Sequence, residues 1–106
     1  MITILYKPKT MEIKISGHAG YDRKGKDTVC AAVSTLFYTL GEVLLKSMDM
    51  MDDYPIVKDD EGDGYLVCTP KPEYRGRIER SYWTIIQGFK MVAENYPQYV
   101  KFIVKK

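Results

Sequence analysis

Histidine and cysteine are both scarce in this chain: one histidine, His18, and two cysteines, Cys30 and Cys68, occur among 106 residues. Two thiols in different expected elements are too few for the disulfide framework of a small secreted domain. Without a Cys/His cluster around them they also argue against a structural zinc. The expected setting is a reducing cytoplasm with both thiols free. Charge of one sign is lacking as well, because 16 Lys and Arg against 14 Asp and Glu leave a formal net charge of only +2. That excess gives no case for a membrane surface, and direct nucleic-acid binding is not expected. No uninterrupted run of about 18 apolar residues exists, so no membrane span is expected. The opening Met1-Ile2-Thr3-Ile4-Leu5-Tyr6 has neither a basic stretch nor a small-residue cleavage site, and no secretory leader is expected. Neither GxxxxGKS/T nor GxGxxG occurs, so a nucleotide cradle has no support.

What is present is ordinary globular material, 45% hydrophobic and 28% charged. That is enough for one core, and a single domain over residues 1–106 is expected. Residues 1–6 and 11–17 are rich in Ile, Thr and Tyr and flank the turn-like Lys7-Pro8-Lys9-Thr10, which predicts a β-hairpin. A glycine-bearing loop follows. From Thr28 to about Met48, Val29, Ala32, Val33, Leu36, Leu40, Val43 and Leu44 recur at helical spacing and predict one buried stripe, with Asp27 at the N-cap. A second β pair is expected over roughly 55–60 and 64–69, turning at Glu61-Gly62-Asp63-Gly64. A second helix over 74–95 buries Ile78, Tyr82, Ile85, Ile86, Phe89 and Val92, and 98–104 reads as a terminal strand. The order β-β-α-β-β-α-β implies an α+β fold, a two-layer α/β sandwich with two helices on a small mixed or antiparallel sheet.

With Asp27 as N-cap, Cys30 is the third helical residue. Unpaired amides and the helix dipole make that position electropositive, which favours a thiolate. The competing reading is a small buried hydrophobe, but Cys30 lies beside the predicted stripe and its neighbours Ala31 and Ala32 are small. His18 sits at the mouth of the loop that returns to Asp27. Alone it would be plain surface; beside a helix-start thiol it is a general base and later a general acid. Asp27 either caps the helix or holds His18 in one tautomer, as the third member of a triad does. Ser34, one turn beyond Cys30, either assists substrate or thiolate, or back-bonds to the Cys30 carbonyl. Gly17, Gly20 and Gly25 give the loop backbone freedom. Cys68 is expected to be inert core within a strand, and the chemistry needs no metal or organic cofactor.

Ser16-Gly17-His18-Ala19-Gly20-Tyr21, followed by Gly25-Lys26-Asp27-Thr28-Val29-Cys30-Ala31-Ala32-Val33-Ser34, resembles the ribosomal-processing cysteine protease family, Prp. Thr28 stands where that family more usually has an aliphatic residue. Length, element order and the late helix extend the resemblance over essentially the whole chain. It implies a cysteine endopeptidase that removes the N-terminal extension of a large-subunit ribosomal protein precursor, acts as a homodimer, and works in the bacterial cytoplasm. It also implies that His18 and Cys30 are the catalytic pair, that Asp27 and Ser34 support them, and that the glycine loop is a flap ordered by substrate. The rival reading is a non-catalytic ribosome- or RNA-associated module using Arg75, Arg77, Arg80 and the tyrosines; it predicts strongly salt-dependent binding.

Overall fold

In the computed structural model, residues 1–23, 27–60 and 62–106 are described. Gly25, assigned above to the loop, and Glu61, assigned to the second hairpin turn, lie outside them. The strands are β1 (Ile2–Lys7), β2 (Glu12–Ser16), β3 (Ile56–Asp60), β4 (Asp63–Val67) and β5 (Val100–Val104); the helices are α1 (Thr28–Leu45) and α2 (Arg75–Asn95). Their sequence is β-β-α-β-β-α-β, and they build the α+β fold that the pattern implied.

The sheet runs β3-β4-β2-β1-β5. It is mixed: β1–β2, β2–β4 and β3–β4 are antiparallel, whereas β1 and β5 are parallel. Registers such as Ile4 opposite Ile15 and Ile13 opposite Leu66 place one apolar set on one face, as the two-residue period of a strand requires. Ile4, Ile13 and Leu66 there have no exposed surface. α1 and α2 pack on the core from one side, and Gly88 of α2 sits so close to Leu36 of α1 that an added Cβ would meet a Leu36 methyl at 2.6 Å.

Three expectations shift in detail. Met11 does not begin β2, because it takes a positive φ of 61°, a conformation rare for a long side chain. That twist drives its side chain into the core, where it is 1% exposed, and leaves its carbonyl to accept the buried Tyr82 hydroxyl at 2.8 Å. Cys68 lies just past β4 rather than within a strand. There the chain leaves β2 and pairs with the segment after α1, through a Met51–Pro70 bridge and an Asp52 amide bond to Thr69. The buried stripe of α1 is Val29, Val33, Phe37, Leu40, Gly41 and Leu44. Phe37, missing from the expected stripe, faces the sheet over Gly64, while Leu36 turns toward α2.

By length and composition α1 is apolar enough to cross a bilayer, with a mean hydropathy of 1.6 over Thr28–Leu45. Ser34, Thr35, Thr39 and Glu42 interrupt it, so it holds no continuous apolar run over that span. A third of the span is buried: Phe37 and Gly41 face the sheet and Leu36 faces α2, so α1 is packed as one face of a domain.

Candidate active site

The site forms where the loop after β2 folds back on the start of α1. Asp27 has extended dihedrals (φ −79°, ψ 101°) and caps the helix. Its Oδ1 accepts the amides of Val29 and Cys30 at 3.0 and 2.9 Å. Its Oδ2 accepts those of Tyr21 and Asp22 at 3.0 and 3.3 Å. One carboxylate thus fixes both the helix start and the returning loop. Burial works against its ionised form, but the hydrogen bonds from the Cys30, Asp22 and Tyr21 amides and from the Cys30 thiol outweigh it. The net result is a carboxyl held below its ordinary range.

The positive φ of Gly17 (88°) turns the chain out of β2, and a Cβ there would lie 2.4 Å from the Met1 carbonyl oxygen. The loop then buries Ala19 and directs its amide at Cys30 Sγ, 3.4 Å away. The electropositive helix start expected from sequence is modified in one respect. The amides of Val29 and Cys30 are occupied by Asp27 Oδ1, and that of Ala31 by the Asp27 carbonyl at 3.1 Å. The donor directed at the sulfur comes from the loop.

Cys30 is partly exposed. It lies at the junction of two cavities. One, about 510 Å³, runs along α1 past Val33 and Phe37 toward Tyr38 and Asp59. The other, about 470 Å³, is lined also by Gly20, Asp22, Asp27 and Ala31. His18, Cys30 and Ser34 line both. The structure therefore brings these three sequence-selected residues together, with Asp27 and Gly20 lining one cavity and Gly17 the other. Among the described residues no hydrogen bond joins His18 to Cys30, and none joins Asp27 to His18. The back-bond considered for Ser34 does not form either; Thr35 and Thr39 make such bonds instead, to Ala31 and Thr35.

Several lining residues had no local signal in the sequence. Gly62, in the β3–β4 turn, lies against the His18 ring. The Tyr38 hydroxyl donates to Asp59, linking α1 to β3 across the groove. Both come from elements brought near by the strand order, not by any motif. Elsewhere, Cys68 is 5% exposed and 3.4 Å from the Tyr82 hydroxyl, and burial pushes its thiol up. The arginines of the rival reading are engaged locally. Arg75 bonds the Lys9 carbonyl and lies 3.5 Å from Glu79, Arg77 lies over Tyr74, and Arg80 lies over Trp83. No group of three potential ligands is placed to hold a metal ion among the described residues.

A partly exposed thiol in the first turn of a helix, with an imidazole and a hydroxyl lining the same two cavities, suits a cysteine-dependent hydrolase. The family model described as cysteine protease Prp matches residues 1–101, and the chain belongs to that family: it is a cysteine-type peptidase. No curated protein matches the sequence. Among solved structures, the fold is similar to that of the essential ribosomal processing protease Prp from S. aureus in complex with a covalently linked product peptide. The TM-score is 0.80 at 17% identity, covering 99% of this chain and 100% of that one. The same S. aureus protease in complex with a substrate peptide gives 0.71 at 16% identity, with 99% and 100% covered. SMU.848 from Streptococcus mutans gives 0.66 at 24% identity, with 98% and 93% covered.

Proposed function

We propose that the chain is an endopeptidase that removes the N-terminal extension of a large-subunit ribosomal protein precursor, with Cys30 as nucleophile and His18 as base. The observation that carries this reading is the pair of cavities that share Cys30, His18 and Ser34 in their walls, which suits a substrate continuing on each side of a scissile bond. Family membership and the peptide-bound state of the S. aureus protease support a peptide substrate.

His18 takes the thiol proton, and the Cys30 sulfur forms a bond to the scissile carbonyl carbon. The tetrahedral intermediate collapses as His18 returns the proton to the leaving amine, which departs with the C-terminal fragment. Water, deprotonated by His18, then cleaves the thioester, releasing the acid and restoring the thiol. With the first helical amides held by Asp27, the loop amide of Ala19 is the donor at hand for the oxyanion; losing one such donor typically costs about 2.7–4 kcal/mol of transition-state stabilisation. The reading also makes the enzyme a homodimer in the bacterial cytoplasm, where unpaired Cys30 and Cys68 stay reduced.

The test is cleavage of the host's ribosomal protein precursor, followed by mass spectrometry of the N-terminus. Cys30→Ala should abolish the cut, and His18→Ala should slow it by about 10²–10⁴-fold, the usual contribution of a positioned acid–base group. Cutting at the wild-type rate by Cys30→Ala refutes the proposal.

A further inference from the structure

We infer that Gly62 is a positioning residue for this reaction: its bare backbone, just ahead of β4, seats the His18 imidazole, the task a carboxylate performs in a triad. The inference rests on His18 being the base, as proposed above.

A triad orients its base through a third side chain, and Asp27 was the sequence candidate. Both of its oxygens are occupied by backbone amides, two on each. The Asp59 carboxylate at the far end of the groove receives the Tyr38 hydroxyl. Among the described residues no side chain hydrogen-bonds the imidazole, and His18 is exposed. What the ring does touch is Gly62. A Cβ built there would lie 2.6 Å from Nε2, 2.9 Å from Cε1 and 3.2 Å from Cδ2, so all three nearest atoms belong to this one ring. Real Cβ atoms do not approach so closely, and any side chain at position 62 displaces the imidazole. The φ of +79° at Gly62 suits glycine as well. Gly62 therefore bounds the ring on one side, and its lack of a side chain leaves the ring the place it occupies beside Cys30 in the cavity wall.

Displacing the base by about 1 Å is the kind of change that lowers turnover about 100-fold while leaving remote binding intact. Gly62→Ala and Gly62→Asn separate crowding from backbone strain, because asparagine tolerates positive φ far better than alanine yet still carries a Cβ. Both variants should lose about 100-fold in kcat on the precursor peptide with KM little changed. Both should also alter the pH profile of Cys30 alkylation by iodoacetamide, mapped by mass spectrometry, as His18→Ala does. Wild-type kcat and profile in either folded variant overturn the role of Gly62 while leaving His18 as base. A profile and cleavage rate indifferent to His18→Ala overturn the base assignment, and this inference with it. Should neither variant fold, the wild-type protein decides. His18 is the only histidine, so its ring protons are assigned at once. A nuclear Overhauser contact to the Gly62 α-protons is expected, and its absence overturns the inference.

Discussion

Asp27 performs two mechanical tasks with two oxygens, and replacing it with asparagine or alanine separates them. Asparagine is as good an N-cap as aspartate, so Asp27→Asn should keep the bonds to Val29 and Cys30, made at 3.0 and 2.9 Å. It has only one acceptor oxygen, however, and turns an NH₂ group toward the amides of Tyr21 and Asp22. The loop loses its tether while the helix keeps its cap. Asp27→Ala loses both. Capping contributes about 1 kcal/mol, and the two loop bonds together add about 1 kcal/mol after allowance for their exposure. At about 4–8 °C per kcal/mol for a domain of about 100 residues, Asp27→Asn should lower Tm at pH 7 by about 5 °C and Asp27→Ala by about 10 °C. Both should cut precursor cleavage sharply, since the loop that carries His18 and directs the Ala19 amide at the sulfur is released in each. Acid adds a second check. The Asp27 carboxyl is depressed in the folded state, so its stabilisation is fully present above the unfolded value of about 3.9 and disappears as pH falls through the folded value. The gap between wild type and Asp27→Asn should therefore narrow below about pH 3.9. Thermal unfolding followed by circular dichroism at pH 7 and pH 3, beside the cleavage assay, reads all of this. The reasoning fails if Asp27→Asn matches wild type in cleavage, or if its Tm falls as far as that of Asp27→Ala.

Tyr82→Phe removes a hydroxyl with no exposed surface that donates to the Met11 carbonyl at 2.8 Å. Leaving that carbonyl without its donor should cost about 1–3 kcal/mol, seen as a lower Tm with cleavage intact. Burial raises the Tyr82 phenol above its ordinary value, so the wild type should lose stability as pH rises past about 10, and the variant should lack that component; equal alkaline slopes would contradict this. For the dimer, light scattering of the purified protein should report twice the chain mass, and a single-chain mass at assay concentration would refute it.

What could be read from the sequence was local. The hairpin, the cap at Asp27, the thiol three residues later and the apolar spacing of α2 from Ile78 to Phe89 are short-range patterns found where expected, although the turn runs over residues 8–11 rather than from Lys7 and Val92 is only half-buried. One conflict was also visible: a cap that accepts the amides of Val29 and Cys30 cannot leave those amides unpaired beside the thiol. The structure resolves it in favour of the cap. Phe37 was missed because the sheet-facing side of α1 depends on where Gly64 of β4 lies beneath it. The left-handed Met11 depends on the partner its carbonyl finds in α2. Gly62 reaches His18 only because β4 pairs with β2, the strand that ends just before the histidine. Single-residue spacing carries none of these long-range approaches.

The contact between Gly17 and the Met1 carbonyl has a practical consequence. β1 begins directly under the turn that launches the histidine loop, and β5, parallel to β1, carries the chain away to the opposite end of the sheet. A purification tag or fusion partner joined ahead of Met1 would emerge beside the groove and press on that turn. The same addition after Lys106 would hang from the remote end. Assays of activity are therefore best run on protein extended only at its C-terminus.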